Sequence, residues 1–314
     1  MMPPRRLLAL LAIGWAIVCA PQILEAQPFA ALRLETSARL SALGGTSVAL
    51  GRGDLAAAWH NPALLPGEGA PELGLGYGRL LGTVEVFWLG TWRPLAPRQS
   101  AGLQALVLHY GSMERLDEAG QAQGRFTALD ALLGLQYRRT YSDALETGAG
   151  LKVLYSALER YTALVLALDL GARWRLPRQW TLAVGLRHLG WTLKRYTATP
   201  ERPEPEVTLA ISKRLEYLPL TLHLATLGSA EAERIYAPWE DLAFGGELTL
   251  APSLLVRFGY RMREQRELRH QNRLDMAGLR LGFGLQFGRF GLDYAYRSLS
   301  TPGGMHLWNL RLVL

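Results

Sequence analysis

Asp169 and Arg173 stand four residues apart in "LDLGARW", and a carboxylate beside a guanidinium is either an acid–base couple or a plain ion pair. Nothing around them completes a catalytic set. The six histidines, His60, His109, His188, His223, His270 and His306, fall on separate segments without the spacing of metal ligands. The chain carries no phosphate-loop, zinc-protease or serine-hydrolase signature, and its one cysteine, Cys19, lies in the apolar N-terminal run. Gly74, Gly76 and Gly78 alternate inside an extended segment and open no helix, so they read as small strand residues rather than a phosphate cradle. The expectation is an ion pair without catalysis, with no cofactor and no metal.

The segments that carry these residues alternate with period two. In "TALVLALDLGARW", Leu164, Leu166, Leu168, Leu170, Ala172 and Trp174 share one face, while Ala163, Val165, Ala167, Asp169, Gly171 and Arg173 share the other. "AGLKVLY" sets Leu151, Val153 and Tyr155 against Gly150 and Lys152. "GLRLGFGLQFG" sets Leu279, Leu281, Phe283, Leu285 and Phe287 against Gly278, Arg280, Gly282, Gly284 and Gln286. About fourteen such segments follow residue 72, most of about ten residues, the length a tilted strand needs to cross a bilayer. Charged residues make up only 19% of the chain.

Backbone groups in lipid need partners within the protein, so strands cross only as a closed ring. The expected fold is therefore all-β, an outer-membrane antiparallel barrel of about fourteen strands. Lys152, Asp169, Arg173, Arg280 and Gln286 are its expected lumen polar residues. Loop lengths point the same way. The longest expected connections, 111–125, 191–205, 228–241 and 263–273, all follow odd-numbered strands, and the tight ones, 176–179, 216–217, 251–252 and Gly288, follow even-numbered ones. Outer-membrane barrels separate short periplasmic turns from long outer loops in this way. Trp88, Trp92, Trp174, Trp180, Trp308, Tyr155 and Tyr294 are expected to form an interfacial girdle. The net charge of +7 is spread singly along the chain, which argues against nucleic acid. "ATPERPEPE" (198–206) reads as a stiff outer loop. "RMREQRELRHQNR" (261–273) reads as a solvated loop face, with contact to lipopolysaccharide phosphates as the alternative.

Arg5 and Arg6 precede an apolar run from Leu7 to Ala20, the pattern of an export signal over 1–26 with Gln27 as the mature start. Residues 27–71 then lack alternation. Within them "SARLSALGGTSVALGRGDLAAAWHNPALL" (37–65) is rich in small residues, Gly44-Gly45 permits a sharp turn, and Asn61-Pro62 starts another. A barrel of this strand number leaves an aqueous lumen unless something fills it. The segment is expected to fold inside as a small N-terminal plug, with the barrel over 72–314.

Ser37-Ala38-Arg39, Gly44-Gly45, the acidic Asp54 and Asn61-Pro62-Ala63, set ahead of the strands, resemble the start of the PorV/PorQ branch of FadL-type outer-membrane barrels. The motif covers about thirty residues, and the barrel plan extends the similarity to the whole mature chain. One departure is the final Leu314, where many such barrels end in Phe. The resemblance implies a non-catalytic role in type IX secretion, in the bacterial outer membrane. It implies anchoring of a surface-exposed, PorZ-like partner within the complex that attaches cargo to lipopolysaccharide, with PorV-like subunits and the sortase as further members. The rival is a FadL-like transporter of hydrophobic compounds. A general porin fits less well with a candidate plug, and an enzyme least well.

Overall fold

The computed structural model describes residues 29–46, 48–51, 53–117, 120–197, 201–229, 241–268, 276–299 and 303–314, and the expected export signal at 1–26 lies outside them. Fourteen strands form one closed antiparallel barrel, each paired with its sequence neighbours and the first with the last. They are β1 (Glu72–Leu80), β2 (Val84–Ala96), β3 (Gln99–Leu116), β4 (Ala122–Thr140), β5 (Leu145–Leu158), β6 (Tyr161–Leu176) and β7 (Trp180–Lys194). The second half is β8 (Glu206–Arg214), β9 (Leu220–Ser229), β10 (Leu242–Ala251), β11 (Leu254–Arg261), β12 (Leu279–Phe287), β13 (Phe290–Ser298) and β14 (Gly304–Val313). Among the described residues no helix is long and apolar enough to cross a membrane.

The period-two pattern decides which face each side chain takes. Leu75, Phe87, Leu103, Leu133, Leu151, Leu170, Leu209, Phe258 and Leu281 stand exposed around the outer wall. An apolar band this continuous is stable against acyl chains and not against water. The opposite face points inward, and Lys152, Asp169, Arg173 and Arg280 are all buried there.

The connections differ from expectation at three places on one end of the barrel. β3 and β4 run past the wall as a polar hairpin, pairing Ser112 with Thr127 and Glu114 with Arg125, so the expected loop 111–125 shrinks to 117–121. The apolar alternation stops near Tyr110, but polar cross-strand pairs extend a ladder equally well. β7 likewise continues to Lys194 within the expected loop 191–205. After β11 the chain forms α2 (Met262–Leu268), once α1 (Ala38–Ala42) is numbered first, in place of a solvated loop over 261–273. "MREQREL" is made of strong helix formers, and Glu264 turns inward and is buried. Residues 269–273 lie outside the described ones, as does most of 228–241. At the other end the turns are tight, for example 97–98, 177–179, 252–253 and 288–289.

Candidate functional site: the sealed lumen

The N-terminal segment runs through the barrel from the long-connection end to the short-turn end. It begins with a 3-10 turn, Ala30–Arg33. There the Phe29 ring stacks on Tyr196 at 6.1 Å, and Arg33 bonds Glu204 at 2.6 Å and Glu206 at 3.0 Å. The connection 201–205 therefore folds over the mouth and is not a free outer loop: Pro203 is buried against Gly190.

Glu35 comes next. Both of its carboxylate oxygens accept from Arg280 Nη1 at 2.8 Å, while Arg280 Nη2 bonds Glu264 of α2. Burial pushes the Glu35 carboxyl up, but Arg280, Arg297 and Arg261 outweigh it and hold the group well below the usual carboxylate range. Ser37 caps α1, its Oγ accepting from Leu40 N at 3.2 Å. Asn309 of β14 clamps the same turn, accepting from Ala38 N at 2.5 Å and donating to the Thr36 carbonyl at 2.9 Å. Arg39 makes a two-pronged contact with Glu247 at 2.9 and 2.8 Å.

Gly44 and Gly45, at φ +99° and +82°, end α1 with two tight bonds, Gly44 N to Ser41 O and Gly45 N to Leu40 O. Their turn lies against bare wall. A methyl group built at Gly245 would sit 2.7 Å from the Leu43 carbonyl oxygen, and one at Gly259 would sit 2.5 Å from the Ala42 carbonyl oxygen. Gly245 and Gly259 are places where plug backbone touches barrel backbone.

The lower part of the plug is held in the same way. Arg173 donates to the Leu50 carbonyl at 2.8 Å, Ser212 to Ala49 at 2.7 Å, and Lys152 to Trp59 at 2.6 Å. The Lys152 ammonium also lies 4.5 Å from the Trp59 ring centroid. Asp54, its carboxyl raised by burial, accepts from Ala57 N at 2.8 Å. Arg187 Nη1 lies 2.7 Å from His60 Nδ1. Burial, Arg187 and Lys152 push that imidazole well below its usual range, so the ring is neutral. Asn61 folds the Asn61-Pro62-Ala63 turn on itself, accepting from Ala63 N at 3.0 Å, and donates to the Val184 carbonyl of β7 at 3.1 Å. Pro62 and Asn61 press directly on Gly148 of β5 and Gly171 of β6.

Asp169 and Arg173 are not paired with each other. Positions four apart on a strand are about 13 Å apart, so each finds a partner on a neighbouring strand. Asp169 takes Lys152 at 2.6 Å, and Arg173 takes Glu146, its register partner across β5. Gln286 shares the inward side of β12 with Arg280 but lies exposed at the short-turn rim, not in the lumen. Trp88 and Trp92 also depart from the expected girdle: both are buried inside, and Trp88 donates to Gln104 at 2.9 Å. Trp174, Trp180, Trp308 and Tyr155 face outward. Glu35, Glu146, Arg187, Glu247 and Asn309 escaped sequence reading. Those on strands lie on the inward side of their strands, and Glu247 of β10, between Gly245 and Thr249 on that side, is the one that alternation marks most clearly.

Gly171→Val is expected to collide with Asn61 and to cost roughly 1–3 kcal/mol of plug seating. It should expose residues 48–66 to protease while the barrel stays folded. Gly185→Ala is the control, since its methyl would meet Asn61 Nδ2 at an ordinary 3.8 Å. Equal protection of both variants would mean the turn does not bear on this wall.

No protein-family model matches the chain, and no curated protein matches it in sequence. Solved structures do. A FadL homologue of Pseudomonas aeruginosa superposes with a TM-score of 0.55 at 13% identity, over 88% of this chain and 97% of that one. The Pseudomonas putida toluene transporter TodX gives 0.58 at 12%, over 91% and 98%. The monoaromatic hydrocarbon channel CymD gives 0.59 at 11%, over 91% and 97%. At such identities the likeness is one of fold, and the fold is that of the FadL-type closed barrel.

Proposed function

We propose that this chain is a non-catalytic outer-membrane barrel of the type IX secretion system, PorQ-like, which anchors a PorZ-like surface protein of the cargo attachment complex. PorV-like subunits, the sortase and lipopolysaccharide are the partners that reading adds. One observation carries it. The stretch that bears the branch motif is tied to the wall along its whole length, by Arg280, Glu247, Arg173, Lys152 and Asn309. A barrel fastened shut in this way suits a rigid anchor better than a conduit, and connections on a rigid body commonly carry recognition. The long connections gather at one end, which the reading assigns to the cell surface.

A second reading has specific support. The TodX and CymD structures are of a toluene transporter and a hydrocarbon channel, and the outer wall here carries an apolar groove of about 520 Å3 between Tyr77, Phe87, Leu89, Trp308 and Leu310. A hydrophobic compound could enter from the bilayer there.

Replacing 198–202 and 269–275 with short Gly/Ser turns separates the two, because it spares Tyr196, Glu204 and Glu264 and so leaves the plug contacts described above intact. The expected result is a normally assembled barrel that releases its surface partner, with cargo secreted but not attached to the cell. Normal attachment together with impaired uptake of a hydrophobic compound would reject the anchor and favour the transporter.

A further inference from the structure

At the short-turn end, the connection 177–179 and the connection 215–219 enclose a hollow of about 510 Å3, lined by Gln179, Arg214, Glu216, Tyr217 and Leu218 among others. Arg214 lines it, and Lys213 and Arg178 stand at its edge as the chain neighbours of Arg214 and Gln179. Lys213 Nζ donates to the Arg178 carbonyl, lies 5.4 Å from the Trp180 ring centroid and stands 4.0 Å from Glu216 Oε1. Arg178 and Arg214 are exposed, and among the described residues neither guanidinium has a bonded acceptor. Arg178 also holds φ +59°, a backbone state that favours Gly or Asn, so the turn carries an arginine where its backbone would choose otherwise. The lining itself holds one cation, Arg214, and one acid, Glu216, and the two edge cations tip the balance to positive. The hollow is continuous with the apolar outer wall: Leu176, Trp180 and Leu218 are exposed beside it, and Tyr217 projects from its lip at 95% exposure. A cationic recess whose rim runs into a lipid-facing wall matches a ligand that is anionic at one end and apolar at the other.

We infer that this hollow seats the phosphate of an anionic phospholipid headgroup from the leaflet at the short-turn end, with the acyl chains lying against Leu176 and Trp180. The assignment rests on the membrane placement proposed above and is independent of the secretion role. Arg178, Lys213 and Arg214 offer a phosphodiester several donors, and an aromatic ring under the ammonium is a common arrangement at a headgroup interface.

Native mass spectrometry of the delipidated, detergent-solubilised full barrel, titrated with phosphatidylglycerol or phosphatidylcholine, tests it. The parent protein is expected to retain one phosphatidylglycerol at roughly tenfold lower concentration than phosphatidylcholine. Arg178→Gln combined with Arg214→Gln should remove that preference while the barrel remains heat-modifiable on gels. Inorganic phosphate at matching concentration should not displace the lipid. Equal retention of the two lipids by the parent, or an unchanged preference in the double variant, overturns the inference. Displacement by inorganic phosphate overturns it too, by reassigning the hollow to a soluble anion. A parent chain that stays soluble without detergent would sink the membrane placement itself, a result distinct from all of these.

Discussion

Removing residues 29–66 leaves an inserted barrel that conducts ions, with single-channel conductance in planar bilayers expected to rise about tenfold or more over the full chain. The wall's ladder is complete without the plug, since every strand pairs with two neighbours. Of the inward charges that lose plug contacts, Lys152, Arg173 and Arg280 keep Asp169, Glu146 and Glu264, Arg187 keeps Glu206 and Glu247 keeps Arg257, and water then enters to solvate the rest. What disappears is the filling: Leu32, Leu40, Leu50, Trp59 and Leu64, all buried inside the ring. Unchanged conductance would show that some other element seals the lumen.

The second large effect belongs to Arg280. Its guanidinium is fully buried between Glu35 of the plug and Glu264 of α2, and it also donates to the Ser41 carbonyl at 3.0 Å. Arg280→Met leaves two buried carboxylates short of their main partner, and breaking a buried pair from one side costs roughly 3–5 kcal/mol. The loss should appear as release of the upper plug to protease and as a lower midpoint for heat modification. Arg280→Lys, which keeps a charge but not the fork, should fall in between. The pH dependence has a definite sign. Glu35 has a folded-state pKa below its ordinary 4.5, so its contribution is fully present above that value and is lost only as pH falls further. Protection of the upper plug should therefore stay flat between about pH 7 and pH 5. Release within that window would mean that Glu35 is not the anchor.

The barrel was legible because side chains on a strand have a period of two. A stretch such as Leu164 to Trp174 declares its lipid face residue by residue, and strand number and closure follow. Trp88 defeated the same rule because "VEVFWLGTW" has large apolar residues on both faces: Phe87 points out and Trp88 points in, with no contrast to tell them apart. The partners of Asp169 and Arg173 were hidden for another reason. Which residues oppose each other across β5 and β6 is set by register, a long-range property that spacing along one strand does not encode. The plug contacts were hidden more deeply still. Gly148, Gly171, Gly245 and Gly259 read in sequence only as small residues, and their use as seats for another part of the chain shows only once the lumen is filled.

The seam between β1 and β14 is closed by nine register pairs, from Glu72↔Val313 to Leu80↔Met305, and it encircles a stretch of the same chain. At Gly148, Gly245 and Gly259 the enclosed backbone, and at Gly171 the Asn61 side chain, touches the ring with no room for a single added methyl group. Such a fit is hard to reach by threading through a finished ring, so the N-terminal stretch is expected to be laid down while the sheet is still an open trough, with β14 then zipping onto β1 around it. Biogenesis on that order would be a one-way sequence in time, and a ring that zipped early would be left empty until its own seam reopened.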